Sequence, residues 1–261
     1  MFEPLTRFPN IQYLGVRHDN ESKYRSADVI LRVVPITSLK VEFHPEVTRP
    51  LGPYQPDLLE VAMDSLIAPS LTELVIQVDD HTHENAANSR ISLPRTFLCV
   101  SHFIVRSCCT LSVLVLQGLP VSDKLVVDLL KDLRGLTDLT IEDPDRMMLQ
   151  QQSYPISEDL IESLHVCRPN YLNPSPNPLV PNLRSLVLKV ISQEPFNAVT
   201  FNLTIASRWI PDKEYETQSN VSCLRSVELH LPDKVDRTLY FLLISLERCG
   251  MRIVVKEESY T

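Results

Sequence analysis

Leu136-Thr137-Asp138-Leu139-Thr140-Ile141 sets three apolar residues at intervals of three and then two. The same string recurs along the chain. It reads Ile11-Gln12-Tyr13-Leu14-Gly15-Val16, Ile36-Thr37-Ser38-Leu39-Lys40-Val41, Leu71-Thr72-Glu73-Leu74-Val75-Ile76 and Leu111-Ser112-Val113-Leu114-Val115-Leu116. Later copies are Leu183-Arg184-Ser185-Leu186-Val187-Leu188 and Leu224-Arg225-Ser226-Val227-Glu228-Leu229. The middle apolar residues lie at 14, 39, 74, 114, 139, 186 and 227, so the intervals are 25, 35, 40, 25, 47 and 41. In a strand, alternate side chains face opposite ways. The last two apolar residues of each copy therefore point inward together, and the variable residues beside them point to the other face of the sheet.

The two intervals of 25 lie in the leucine-rich-repeat range, and the longer ones read as repeats with inserted loops. Helix-like segments lie between the strands. Leu58, Leu59, Ala62, Met63 and Leu66 form one stripe at helical spacing; Leu125, Val126, Leu129, Leu130 and Leu133 form a second. Ser122 suits the N-cap of the second, with Asp123 in its first turn. Ser157-Glu158-Asp159 repeats that start signal before Leu160, Ile161 and Leu164. Leu239, Leu242, Leu243 and Leu246 form the last stripe, ending at Cys249-Gly250, where glycine fits a helix C-terminus. Arg252-Ile253-Val254-Val255 reads as a closing strand. Strand then helix, repeated, predicts an α/β fold. The expected form is an irregular leucine-rich-repeat solenoid, a single domain over 1–261 with parallel strands on a concave face and helices on a convex one. Long loops are expected near 44–57, 79–95 and 168–182.

The chain has 261 residues, only 5 glycines, and 20 prolines, whose dense stretches Pro45–Pro56 and Asn170–Pro181 fit the inserted loops. No two glycines are closer than 118 and 135, which excludes the dinucleotide fingerprint, the Walker loop and the nucleophile elbow. The net charge of −8, with no Lys/Arg run, argues against a nucleic-acid partner. No apolar run approaches the ~18 residues of a membrane span, and the start of the chain lacks the pattern of a signal peptide. The expected compartment is cytoplasmic or nuclear. Cys99, Cys108, Cys109, Cys167, Cys223 and Cys249 show no C-x-x-C spacing and are expected as free thiols packed like small hydrophobes.

From Phe97 to Asp143 an apolar helix leads into Ser107-Cys108-Cys109-Thr110-Leu111, then Gln117-Gly118-Leu119-Pro120-Val121-Ser122-Asp123, Asp128-Leu129-Leu130 and Leu136-Thr137-Asp138-Leu139. Pro155-Ile156-Ser157-Glu158-Asp159-Leu160-Ile161, Val180-Pro181-Asn182-Leu183-Arg184-Ser185-Leu186, Ser207-Arg208-Trp209 and Cys223-Leu224-Arg225-Ser226-Val227 follow in order. Over residues 66–256 this resembles the leucine-rich region of fungal, basidiomycete-type F-box proteins. The resemblance implies a non-enzymatic recognition module, the substrate-binding part of an SCF-type ubiquitin ligase receptor. It implies a protein ligand as partner, with a Skp-type adaptor and cullin only where an F-box lies upstream. Residues 1–50 hold no F-box-like helical trio, and Phe8-Pro9-Asn10-Ile11 already reads as the approach to a repeat strand. The expectation is a chain that begins partway through a longer protein, or one whose gene lost its F-box. The alternatives are a freestanding scaffold or remnant with no ligase role, and a metal-dependent enzyme.

The metal alternative rests on Asp79-Asp80-His81-Thr82-His83-Glu84, where two histidines at i, i+2 with a carboxylate suit zinc. No further fixed ligand is evident, so the segment is expected as a solvated turn, with no metal, cofactor or catalytic residues. Trp209 reads as a packing anchor at a helix end. The expected partner-binding residues are the variable ones on the concave face. They are Tyr13 and Arg17; Lys40 and Glu42; Glu73, Val75 and Gln77; Val113, Val115 and Gln117; Asp138 and Glu142; Lys189; and Glu228 and His230. Val75, Val113 and Val115 make an apolar centre and charged residues flank it, the composition of a protein-binding patch.

Overall fold

The computed structural model describes residues 13–17, 32–43, 63–78, 93–144, 154–166, 177–191, 196–232 and 240–258. The chain groups into two compact units, Met1–Leu119 and Pro120–Thr261.

In the first unit, strands β1 (Tyr13–Arg17), β3 (Ser38–Phe43), β5 (Glu73–Val78) and β6 (Val113–Gln117) pair in that order, all parallel. The copies align without slippage: Leu39, Leu74 and Leu114 form one rung, and Val41, Ile76 and Leu116 another. A small parallel pair, β2 (Arg32–Val33) with β4 (Leu66–Ile67), lies apart from this sheet. Of the stripe ending at Leu66, Leu58, Leu59 and Ala62 lie outside the described residues; residues 63–65 are helical as expected, and Leu66 belongs instead to β4. Helix α1 (Leu93–Ser107) carries Phe97, Val100, Phe103 and Ile104 into the core. It also shortens the loop expected over 79–95, because it begins at Leu93. Its C-terminal turn holds the β4 segment, with Ser107 Oγ accepting the Ala68 N–H at 3.0 Å and Arg106 donating to the carbonyls of Met63 and Leu66.

In the second unit, β7 (Asp138–Glu142), β8 (Ser185–Lys189), β9 (Ser226–Pro232) and β10 (Arg252–Glu258) form a parallel sheet in chain order. Leu139, Leu186, Val227 and Ile253 make one rung, and Ile141, Leu188, Leu229 and Val255 the next. Helices α2 (Asp123–Lys131), α3 (Glu158–Ser163), α4 (Ala198–Arg208) and α6 (Phe241–Arg248) pack in a row following the strand order, and a short α5 (Lys213–Ser219) follows α4. Parallel neighbours need such crossovers, since a tight hairpin joins only antiparallel strands.

Burial follows the string. All three apolar positions of each described copy are core: Leu136, Leu139 and Ile141 are at most 1% exposed, and so are Leu183, Leu186 and Leu188. The intervening strand residues of β5, β6, β7 and β8 are half-buried. The first variable position carries a recurring backbone bond. The Thr72 carbonyl accepts from Ser112 and Val113 N–H, Thr137 from Arg184 and Ser185, and Arg184 from Arg225 and Ser226.

Three helix starts differ in chemistry. Ser157 caps α3 as expected, its Oγ accepting the Leu160 N–H at 3.2 Å and donating to Asp123 Oδ2 at 2.5 Å. Ser122 occupies the N-cap of α2 but makes no side-chain cap bond there. Asn197 caps α4 by accepting from Val199 and Thr200 N–H. At the end of α6, Gly250 adopts φ +103°, the left-handed conformation expected of it.

Candidate outward face of the strands

The half-buried strand residues form the candidate surface. In the first unit Val75 lies directly opposite Val115 in the β5–β6 register, and Val113 lies opposite Glu73. Each of these three valines is half-buried, so together they offer a small apolar surface bordered by Glu73. On the other side Lys40 sits opposite Val75, and Glu42 and Gln77 form the next rung with Gln117. Lys40 Nζ pairs with Glu42 at 2.8 Å, and Gln77 Nε2 donates to the same carboxylate oxygen at 2.8 Å. The polar border is thus internally bonded and fixed in place. β1 places Tyr13 opposite Ser38 and Arg17 opposite Glu42 by backbone register; their side chains lie outside the described residues.

In the second unit the outward rung Glu142–Lys189–His230–Lys256 is charged. Lys189 Nζ lies 3.0 Å from Glu142. Glu228 receives Lys256 Nζ at 2.5 Å and His230 Nε2 at 2.7 Å. Lys256 first and then His230 hold the Glu228 carboxyl below its ordinary range. Asp138 accepts from Thr137 Oγ1 at 2.6 Å. His230, expected on the open face, is only 6% exposed, because β9 stops alternating there and Leu231 and Pro232 are buried as well. It is a packed partner of Glu228 rather than a contact residue.

Other expectations are also placed. Trp209 ends α4 and packs against Val166, Ile210, Val221 and Cys223, the anchor role expected of it. No disulfide engages Cys99, Cys108, Cys109, Cys223 or Cys249. Burial raises the thiols of Cys109 and Cys223, yet Cys108 and Cys249 are exposed at helix ends, contrary to the packed expectation. Cys167 and the His81/His83 loop lie outside the described residues, as do most of the loops near 44–57 and 168–182. Among the described residues no group of three His, Cys, Asp or Glu is placed to hold a metal ion, and no helix is long and apolar enough to cross a membrane.

Sequence reasoning passed over Arg184, Arg225 and Arg252, three exposed cations at the starts of successive strands. The signal for the first two was present, because Leu-Arg-Ser opens two consecutive copies. It also passed over Arg208, whose buried guanidinium is described below.

No family model, curated protein or solved structure matches the chain.

Proposed function

We propose that the chain is a protein-recognition module with no chemistry of its own, built from leucine-rich-repeat-type coils, that grips a protein partner along the outward face of its strands. The observation that carries this reading is the Val75–Val115 pair with Val113. It is an apolar patch on the first unit's strands, bordered by the fixed Lys40–Glu42–Gln77 cluster. An apolar centre within a polar rim is the anatomy of a protein interface. The recurring string, its in-register rungs and the repeated backbone bond at its first variable position support the leucine-rich-repeat reading.

The resemblance extends the proposal to the substrate-recognition part of an F-box-type ubiquitin ligase receptor, acting in cytoplasm or nucleus. Co-purification of a Skp-type adaptor and cullin with the product of the complete transcript supports that extension. Their absence leaves a freestanding scaffold. The recognition reading itself is tested by Val115→Glu, which sets a charge in the centre of the patch while leaving the buried rungs intact. Partner binding should fall by about tenfold or more, the 1.4 kcal/mol or more that truncating an interface centre costs. Unchanged binding by a folded variant would sink the patch.

A further inference from the structure

Arg184 and Arg225 occupy the same position of consecutive coils, one residue before β8 and β9, and both are exposed. The Arg225 N–H donates to the Arg184 carbonyl at 2.8 Å. Arg252 opens β10 directly opposite Ser226, is also exposed, and its N–H donates to the Arg225 carbonyl at 2.8 Å. Neighbouring strands lie about 4.8 Å apart, so the backbone roots three guanidinium side chains within a span of roughly 10 Å. Among the described residues none of the three forms an ion pair. Two nearby acids are held by neutral donors: Asp138 accepts from Thr137 Oγ1, and Glu216 accepts the Cys223 N–H at 3.2 Å. The half-buried Ser185 and Ser226 sit in the register between Asp138 and Arg252. In a chain of net charge −8, three neighbouring cations that form no ion pair among the described residues make a local positive potential that opposes the overall field.

We propose that this arginine ladder binds a run of carboxylates on an acidic peptide segment of the partner. A guanidinium presents a planar fork that matches a carboxylate with two parallel hydrogen bonds. The strand spacing offers a series of such forks to successive side chains of an extended peptide, and the two serine hydroxyls add donors beside them. The inference names the chemistry of the partner and rests on the recognition reading for that partner being a protein.

The test uses the whole chain and a fluorescent hexaglutamate peptide, with hexaglutamine and a singly phosphorylated serine peptide as comparison probes. Hexaglutamate should bind, hexaglutamine should not, and binding should vanish near ~1 M salt, where the screening length falls to ~3 Å. Replacing Arg184, Arg225 and Arg252 together by Gln should weaken hexaglutamate binding about tenfold, the combined effect expected of three exposed ion pairs. Lys124→Gln and Lys213→Gln, at other exposed positions, should leave it unchanged. The triple variant should melt no lower than the parent, since like-charge repulsion is relieved. Equal binding by the triple variant, no binding of hexaglutamate at all, or loss of binding together with a lowered melting temperature would each overturn the assignment. A preference for the phosphoserine peptide over hexaglutamate would overturn the carboxylate specificity. None of these results depends on Val115→Glu, so the two readings fail separately.

Discussion

Arg208 is wholly buried, yet it makes no ion pair among the described residues. Its guanidinium donates instead to three main-chain carbonyls, those of Leu164 at 2.5 Å, Val180 at 3.2 Å and Leu179 at 2.5 Å. Burial pushes its pKa down to about 10, so it remains a cation at neutral pH. It closes the end of α3 and the turn before β8 onto α4. Arg208→Met would leave those carbonyls without their donor, and we expect a loss of about 3 kcal/mol in urea unfolding. Arg208→Lys should recover little, since one compact ammonium cannot span three acceptors. Nothing in Ser207-Arg208-Trp209 distinguishes this arginine from the exposed ones, because its role depends on carbonyls 28 to 44 residues away.

Glu228 gives a pH-dependent expectation at the same scale. Its folded-state pKa is depressed by Lys256 and then by His230. The stabilisation is therefore present above the unfolded value of about 4.3 and is lost as pH falls through the lower folded value. Glu228→Gln should be less stable than the parent at neutral pH, by at most about 1 kcal/mol for a partly exposed pair. That gap should close when the unfolding midpoint is measured below the ordinary glutamate range.

Among the elements, the buried Asp143 is the clearest junction. Its carboxylate accepts the Ile156 N–H at 3.2 Å before α3 and the Ile191 N–H at 3.2 Å beyond β8, while its own N–H donates to the Lys189 carbonyl at 2.9 Å. Asp143→Ala strands two buried amides, and a loss of about 2–4 kcal/mol is expected by denaturant titration. Gly250→Ala tests a helix end. An added Cβ would meet nothing within 4 Å, so the cost comes from φ +103° alone, and a smaller loss of about 1–2 kcal/mol is expected. Helix α4 marks the limit of sequence pattern. Val199, Phe201, Leu203 and Ile205 alternate with polar residues, a strand-like period. The segment is nonetheless helical, because Asn197 caps it and the buried face runs Phe201, Thr204, Ile205, Arg208. A threonine and an arginine on the inner stripe conceal the helical spacing, and Val199 and Leu203 are left exposed.

For the molecule as a whole, the strands were legible because one string fixes both burial and register. Leu114, Leu139 and Leu186 are each at most 1% exposed, as the alternation demands. The helices α2, α3 and α6 were legible through their stripes and end residues. The division into two compact units had no sequence signal, because the string continues through it unchanged. The outward valines and their charged neighbours were legible as a set. The bonding among Lys40, Glu42 and Gln77 was not, since it depends on which residues the register sets side by side. The burial of His230 was not legible for a related reason: β9 stays buried over its last residues, and the string carries no sign of that.

The central claim is that the outward strand face, and not the helices, meets the partner. The direct measurement installs a photo-crosslinking side chain at Val115 and, separately, at Leu98, an exposed position of α1. Both proteins are then irradiated in the source cells and their adducts mapped by mass spectrometry. A defined protein adduct is expected from position 115, abolished by Val75→Glu in the same chain, and none from position 98. Adducts from position 98 with none from position 115 would contradict it.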